Sequence, residues 1–125
     1  MFPRSFQRDA SQLLILSVLA ERSLYGYAIT KEVAVRSGGE LKLAAGVLYP
    51  LLARLERSGL ISSSWEVIRS DRREDDADDD SGRRRKWYKL TAKGRKHLAA
   101  SIKAHNAYMA MLKAFLPPTA GEEAS

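Results

Sequence analysis

The chain of 125 residues contains no cysteine. Disulfides and thiolate metal sites are therefore excluded, and the composition fits a reducing compartment. Histidine is scarce too. His97 and His105 stand eight positions apart with no carboxylate or cysteine near them, which is not a metal-ligand spacing. No run of 18 apolar residues occurs, so no membrane-spanning helix is expected. The apolar stretch 13–20 near the N-terminus has no small-residue cleavage site behind it. This argues against a signal peptide and for a cytoplasmic protein. No nucleophile stands beside a base, and no glycine loop could cradle a phosphate. Gly38-Gly39 and Gly82 read as turn residues. No catalytic residue, metal or cofactor is expected, and the chain does not read as an enzyme.

What is present is positive charge, unevenly placed. The net charge is +6, yet Asp71–Asp80 (DRREDDADDD) holds seven acids and two arginines. The remaining residues carry 19 bases against 8 acids, a net of +11. A small domain with that balance is suited to a phosphate-rich partner. The acidic segment has a single apolar residue, Ala77, and reads as a flexible tip between two strands. It either stays solvated away from a polyanion or folds back on the neighbouring arginines and competes with phosphate.

The apolar periodicity orders the rest. Ser11 is placed to cap a first helix over 12–21, apolar on several faces. A second helix is expected over about 26–36, with Tyr27, Ile29 and Val33 on its apolar side and Ser37-Gly38-Gly39 as its end. A third covers about 44–57, with Val47, Leu48, Leu51, Leu52 and Leu55 as its stripe. Pro50 lies in its first turns and Ser58-Gly59 stops it. Ile61–Ile68 and Lys86–Leu90 read as strands. A last helix runs over about 92–115 and ends at Pro117-Pro118. The fold class is mainly α with a small β-hairpin: a winged helix-turn-helix plus a C-terminal dimerisation helix. The organisation is a winged-helix domain over 1–91 with its acidic tip at 70–82, the helix over 92–116, and a disordered tail over 117–125.

In such a fold the third helix enters the major groove of double-stranded DNA by its leading end. Lys42, Ala44, Ala45, Gly46 and Tyr49 lie there. Lys42 can pair with phosphate. Tyr49 can offer its hydroxyl to phosphate or pack its ring in the core. The small residues allow close approach and methyl contacts, for example to thymine. Arg54, farther along, suits backbone contacts. Arg83, Arg84, Arg85 and Lys86 form a basic run at the start of the returning strand, where a wing meets phosphate or the minor groove. Alternation sends Arg85, Trp87 and Lys89 to one face and Lys86, Tyr88 and Leu90 to the other, with Tyr88 and Leu90 in the core. Trp65 and Trp87 are placed to pair across the hairpin, an interaction worth about 0.2–1 kcal/mol.

Three segments resemble the PadR family of bacterial transcriptional regulators: 13–29 (LLILSVLAERSLYGYAI), 41–61 (LKLAAGVLYPLLARLERSGLI) and 82–94 (GRRRKWYKLTAKG). The single final helix looks like the family's short form. The resemblance implies a homodimer that represses transcription from an inverted-repeat operator. In some members a small aromatic or drug-like molecule at the dimer interface releases the DNA. It maps the family's glycine-tyrosine to Gly26-Tyr27, which adds Tyr27 to the DNA-binding set, and its leucine-tyrosine-proline to Leu48-Tyr49-Pro50. The wing maps to Arg83–Lys86, followed by Tyr88, Leu90 and Thr91. Where the family commonly has Ser-Pro-Gly-Thr, this chain has Ala44-Ala45-Gly46-Val47, so two hydroxyls and a helix cap are missing. The wing is also longer and more acidic.

Leu98, Ile102, His105, Met109, Leu112 and Leu116 fall at alternating steps of four and three, a short heptad-like seam. An exposed seam needs a partner surface, and Leu13 and Leu14 of the first helix, from this or the other subunit, are the candidates. Tyr108, Met109, Met111 and Phe115 would either line an effector pocket or pack in that interface. The alternative function is a winged-helix module that binds another protein without specific DNA binding.

Overall fold

The computed structural model describes residues 4–67 and 84–118. In chain order these form α1 (Arg4–Glu21), β1 (Leu24–Tyr25), α2 (Gly26–Arg36), α3 (Ala45–Arg57), β2 (Ile61–Val67), β3 (Arg84–Leu90) and α4 (Ala92–Lys113). The three strands make an antiparallel sheet in the order β1-β3-β2. The acidic segment Asp71–Asp80, Arg83 and the tail beyond Pro118 lie outside the described residues.

Helix α1 begins earlier than the expected 12–21, because nothing between Arg4 and Ser11 breaks it. Ser11 is therefore an interior residue rather than a cap. It is buried on the same stripe as Ile15, Val18 and Leu19, where its small side chain fits. That stripe packs with Leu24, Ile29, Val33, Leu48, Leu52, Leu60, Ile61, Tyr88 and Leu90 in one core. Burying each large aliphatic side chain contributes about 1.5–3 kcal/mol.

β1 was not legible as a strand. It is only two residues long, and it exists because β3 offers it an edge: Leu24 pairs with Tyr88 and Tyr25 with Trp87. The β2–β3 register sets Ile61 opposite Leu90, Ser64 opposite Trp87 and Trp65 opposite Lys86. Opposed residues share a face, so the expected Trp65–Trp87 pair does not form. Trp87 instead meets Tyr25 edge-on, with ring centroids 5.2 Å apart. Its indole N–H donates to Glu66 Oε1 at 2.6 Å.

The end of α3 is tied to the start of α4. Gly59 adopts φ +80°, which a side chain would resist. This lets the Leu60 N–H reach back to the Leu55 carbonyl at 3.0 Å. The Thr91 hydroxyl then serves both elements. It accepts from the Gly94 N–H at 2.9 Å and donates to the Gly59 carbonyl at 2.7 Å. Lys93 Nζ adds a bond to the Ser58 carbonyl at 2.9 Å.

Leu98 is 7% exposed and belongs to this core, so its expected place in an intersubunit seam is corrected. α4 is anchored through its first turns and loses cover within the chain beyond them. Thr91→Val keeps the shape and deletes both hydroxyl bonds. It should cost about 1–2 kcal/mol in urea denaturation at fixed protein concentration.

Candidate nucleic-acid interface

The rotation of α3 about its own axis decides what it shows outward. Leu48, Leu51, Leu52 and Leu55 are buried at helical spacing. The opposite side therefore exposes Gly46, Pro50, Ala53 and Arg57. Val47, expected in the apolar stripe, is 53% exposed and lies on the flank of this outward face. Ala44 is the N-cap and makes no side-chain cap bond, as the loss of the hydroxyls requires. Lys42, Ala44, Ala45 and Gly46 are all exposed at the leading end.

Tyr49 resolves both of its sequence-derived alternatives partway. It is 47% exposed, but its ring lies against the backbone of Gly26 at the start of α2. A Cβ on Gly26 would sit 2.7 Å from Tyr49 Cζ, so only glycine admits this approach. Tyr27 is exposed beside it, with Lys31 Nζ 6.0 Å from its ring centroid. The starts of α2 and α3 thus each present a partly exposed tyrosine.

The wing meets α3 at Tyr88, which is buried next to Tyr49 and Glu56. Burial first, then these two neighbours, push its hydroxyl up to about 12, so it stays protonated at neutral pH. Glu56 accepts from the Ser63 hydroxyl at 2.6 Å, which joins α3 to β2. From Tyr88 outward the same face of β3 carries Lys86 and Arg84. Lys86 Nζ lies 5.7 Å from the Tyr88 ring and 5.5 Å from the Trp65 ring. The Arg84 guanidinium lies 4.2 Å from the Trp65 ring. Arg85 occupies the other face, 4.1 Å from the Tyr25 ring. The wing arginines are therefore split between two faces, and Arg84 with Lys86 shares the face of Tyr88.

Arg54 stands apart. With Gln12, Leu13, Leu16, His105 and Tyr108 it lines an open cleft of about 580 Å³ between α1, α3 and α4. Of the residues considered for an effector pocket, Tyr108 alone reaches this cleft. Ile102, Met109 and Met111 are exposed on α4, and Phe115 and Leu116 are exposed just beyond its end. Leu13, Leu14 and Leu112 are half-buried. Among the described residues there is no cluster that could hold a metal ion. No helix among them is long and apolar enough to cross a membrane.

The family profile for PadR-like transcriptional regulators matches residues 15–100. The chain belongs to the PadR-like family of transcriptional regulators. This PadR-like chain is 35% identical over 101 residues to the transcriptional regulator Rv3488 of Mycobacterium tuberculosis, covering 81% of this chain and 80% of that protein. Among solved structures, a PadR family transcriptional regulator from Eggerthella lenta superimposes with a TM-score of 0.73 at 27% identity, covering 92% of this chain and 88% of that one. A PadR family regulator from Clostridium difficile gives a TM-score of 0.68 at 30% identity, covering 86% and 99%. These relatives are transcriptional regulators, not enzymes.

Two residues of this PadR-like surface were missed in the sequence. Trp65 was assigned a partner on the wrong face, and Val47 was assigned to the core. A helical wheel centred on the four leucines would have put Val47 at the margin. No local signal reveals the hairpin register that moves Trp65. The Gly26–Tyr49 contact carries a test. Gly26→Ala should lower stability by about 1–3 kcal/mol, and Gly26→Ala on a Tyr49→Ala background should cost far less. Additive effects in urea titration would contradict the contact.

Proposed function

We propose that the chain is a homodimeric DNA-binding repressor acting on an inverted-repeat operator. The observation that carries this reading is the link from α3 to the basic wing face: Tyr88 lies beside Tyr49 of α3, and Lys86 Nζ lies 5.7 Å from the Tyr88 ring. A helix end beside a cationic strand fits a groove bounded by phosphates. Lys42, Tyr27 and Tyr49 serve further phosphate contacts. The leading part of the outward side of α3, Gly46, Val47, Pro50 and Ala53, offers no side-chain hydrogen-bonding group, and Arg57 stands at its far end. Sequence is then read through close approach, apolar contact and DNA shape more than through base hydrogen bonds.

The dimer rests on α4. Ile102, Tyr108, Met109 and Met111 on α4, with Phe115 and Leu116 in the turn after it, form more exposed apolar surface than a lone chain tolerates, and Phe115 is 78% exposed. A second copy of α4, with Leu13 and Leu14 of α1, supplies the cover. An effector, apolar or aromatic and small, fits the cleft at Tyr108 and Leu13, with Arg54 and His105 as its polar contacts. Occupying it would bear on how α4 sits against α3.

Selection of bound duplexes from a random pool tests the reading. A palindrome with half-sites about one helical turn apart is expected. No enrichment, together with no gel shift at low salt, would overturn it and favour a protein partner instead.

A further inference from the structure

We propose that Trp65 is a positioning residue of the wing: its indole holds Arg84 and Lys86 in the arrangement that meets the DNA backbone. The inference rests on the DNA-binding reading above and adds a residue that neither the motif nor the basic run singles out.

Trp65 is 53% exposed, at a place where an indole gains little from burial. Its position follows from the register, which sets it directly opposite Lys86 and one diagonal step from Arg84. Both cations lie over its ring, the Arg84 guanidinium at 4.2 Å and Lys86 Nζ at 5.5 Å from the centroid. A tryptophan face is the best of the aromatic partners for a cation.

A guanidinium and an ammonium drawn to one indole are held as two positive charges on the same face of the wing. Arg84 and Lys86 are two residues apart on one face of β3, about 7 Å along the strand. That is the order of separation between neighbouring phosphates on one DNA strand. Long cationic side chains lose rotamer freedom when they bind, and a ring that already holds them removes part of that loss.

Phosphate contacts of this kind set affinity without reading sequence. The effect of Trp65 should therefore appear alike on operator and on unrelated duplex. It should also act only through the two cations, and this separates it from a structural role and from stacking of the indole on DNA.

The test is fluorescence-anisotropy titration of a labelled duplex, with Trp65→Leu and Trp65→Phe in two backgrounds, wild type and Arg84→Gln/Lys86→Gln. In the wild-type background Trp65→Leu should weaken binding about 5- to 30-fold. Trp65→Phe should recover most of that loss. In the background lacking both cations, Trp65→Leu should change affinity by less than about twofold. Urea denaturation of each variant separates a folding defect from a binding one. An undiminished loss in the cation-free background would overturn the proposal, as would failure of Trp65→Phe to rescue. Either result would leave the DNA-binding reading intact. If the wild-type protein binds no duplex at low salt, that reading and this proposal fall together.

Discussion

The burial of one stripe of α3 is the constraint on which the rest depends. Leu48, Leu51, Leu52 and Leu55 admit a single rotation of the helix, because any other would expose several of them at about 1.5–3 kcal/mol each. That rotation turns Gly46, Pro50 and Ala53 outward. It places Tyr49 over Gly26 and brings Glu56 to Ser63, so α2 and β2 take their positions from it. The Gly59 turn and the Thr91 hydroxyl then transmit the end of α3 to the start of α4. The outward face of α3 and the C-terminal helix are thus fixed relative to each other by the same few contacts.

A second constraint is what the chain leaves uncovered. α4 is buried at Leu98 and increasingly exposed beyond it. The cleft at Arg54, His105 and Tyr108 lies where that exposed helix departs from α3 and α1. A change in how two copies of α4 pack would therefore reach α3 without passing through the whole core. This is a short physical route from the exposed part of α4 to α3.

Much of this was legible in the sequence, for identifiable reasons. The α2 and α3 boundaries fell where periodicity and turn residues agreed, and the burial of Tyr88 and Leu90 followed from strict alternation in β3. The residues that went astray were those whose place depends on long-range register. Two-residue β1 has no periodicity to read and exists only through its pairing with β3. Trp65 needed the β2–β3 offset, and the one turn residue read between those strands, Gly82, does not set it. Leu98 fitted a heptad spacing as well as it fitted the core, and only the packing of α4 on the domain distinguishes the two. Ser11 looked like a cap because its composition suits one, yet an uninterrupted helix before it made it a small interior residue. At the site, the faces of β3 were readable from alternation, which separates Arg85 from Lys86 as the fold does, but the residue set against them across the hairpin was not.

On the proposed function, affinity comes from phosphate contacts made by the wing and by Lys42, with little contributed by hydrogen bonds from α3 to bases. The most direct measurement is the dependence of DNA affinity on salt. Arg84, Lys86 and Lys42 from each of two subunits would neutralise about six phosphates, so log K should fall linearly with log salt with a slope of about −5. Operator and unrelated duplexes should give nearly parallel lines. A slope shallower than about −1, or an operator line much flatter than the unrelated one, would contradict it.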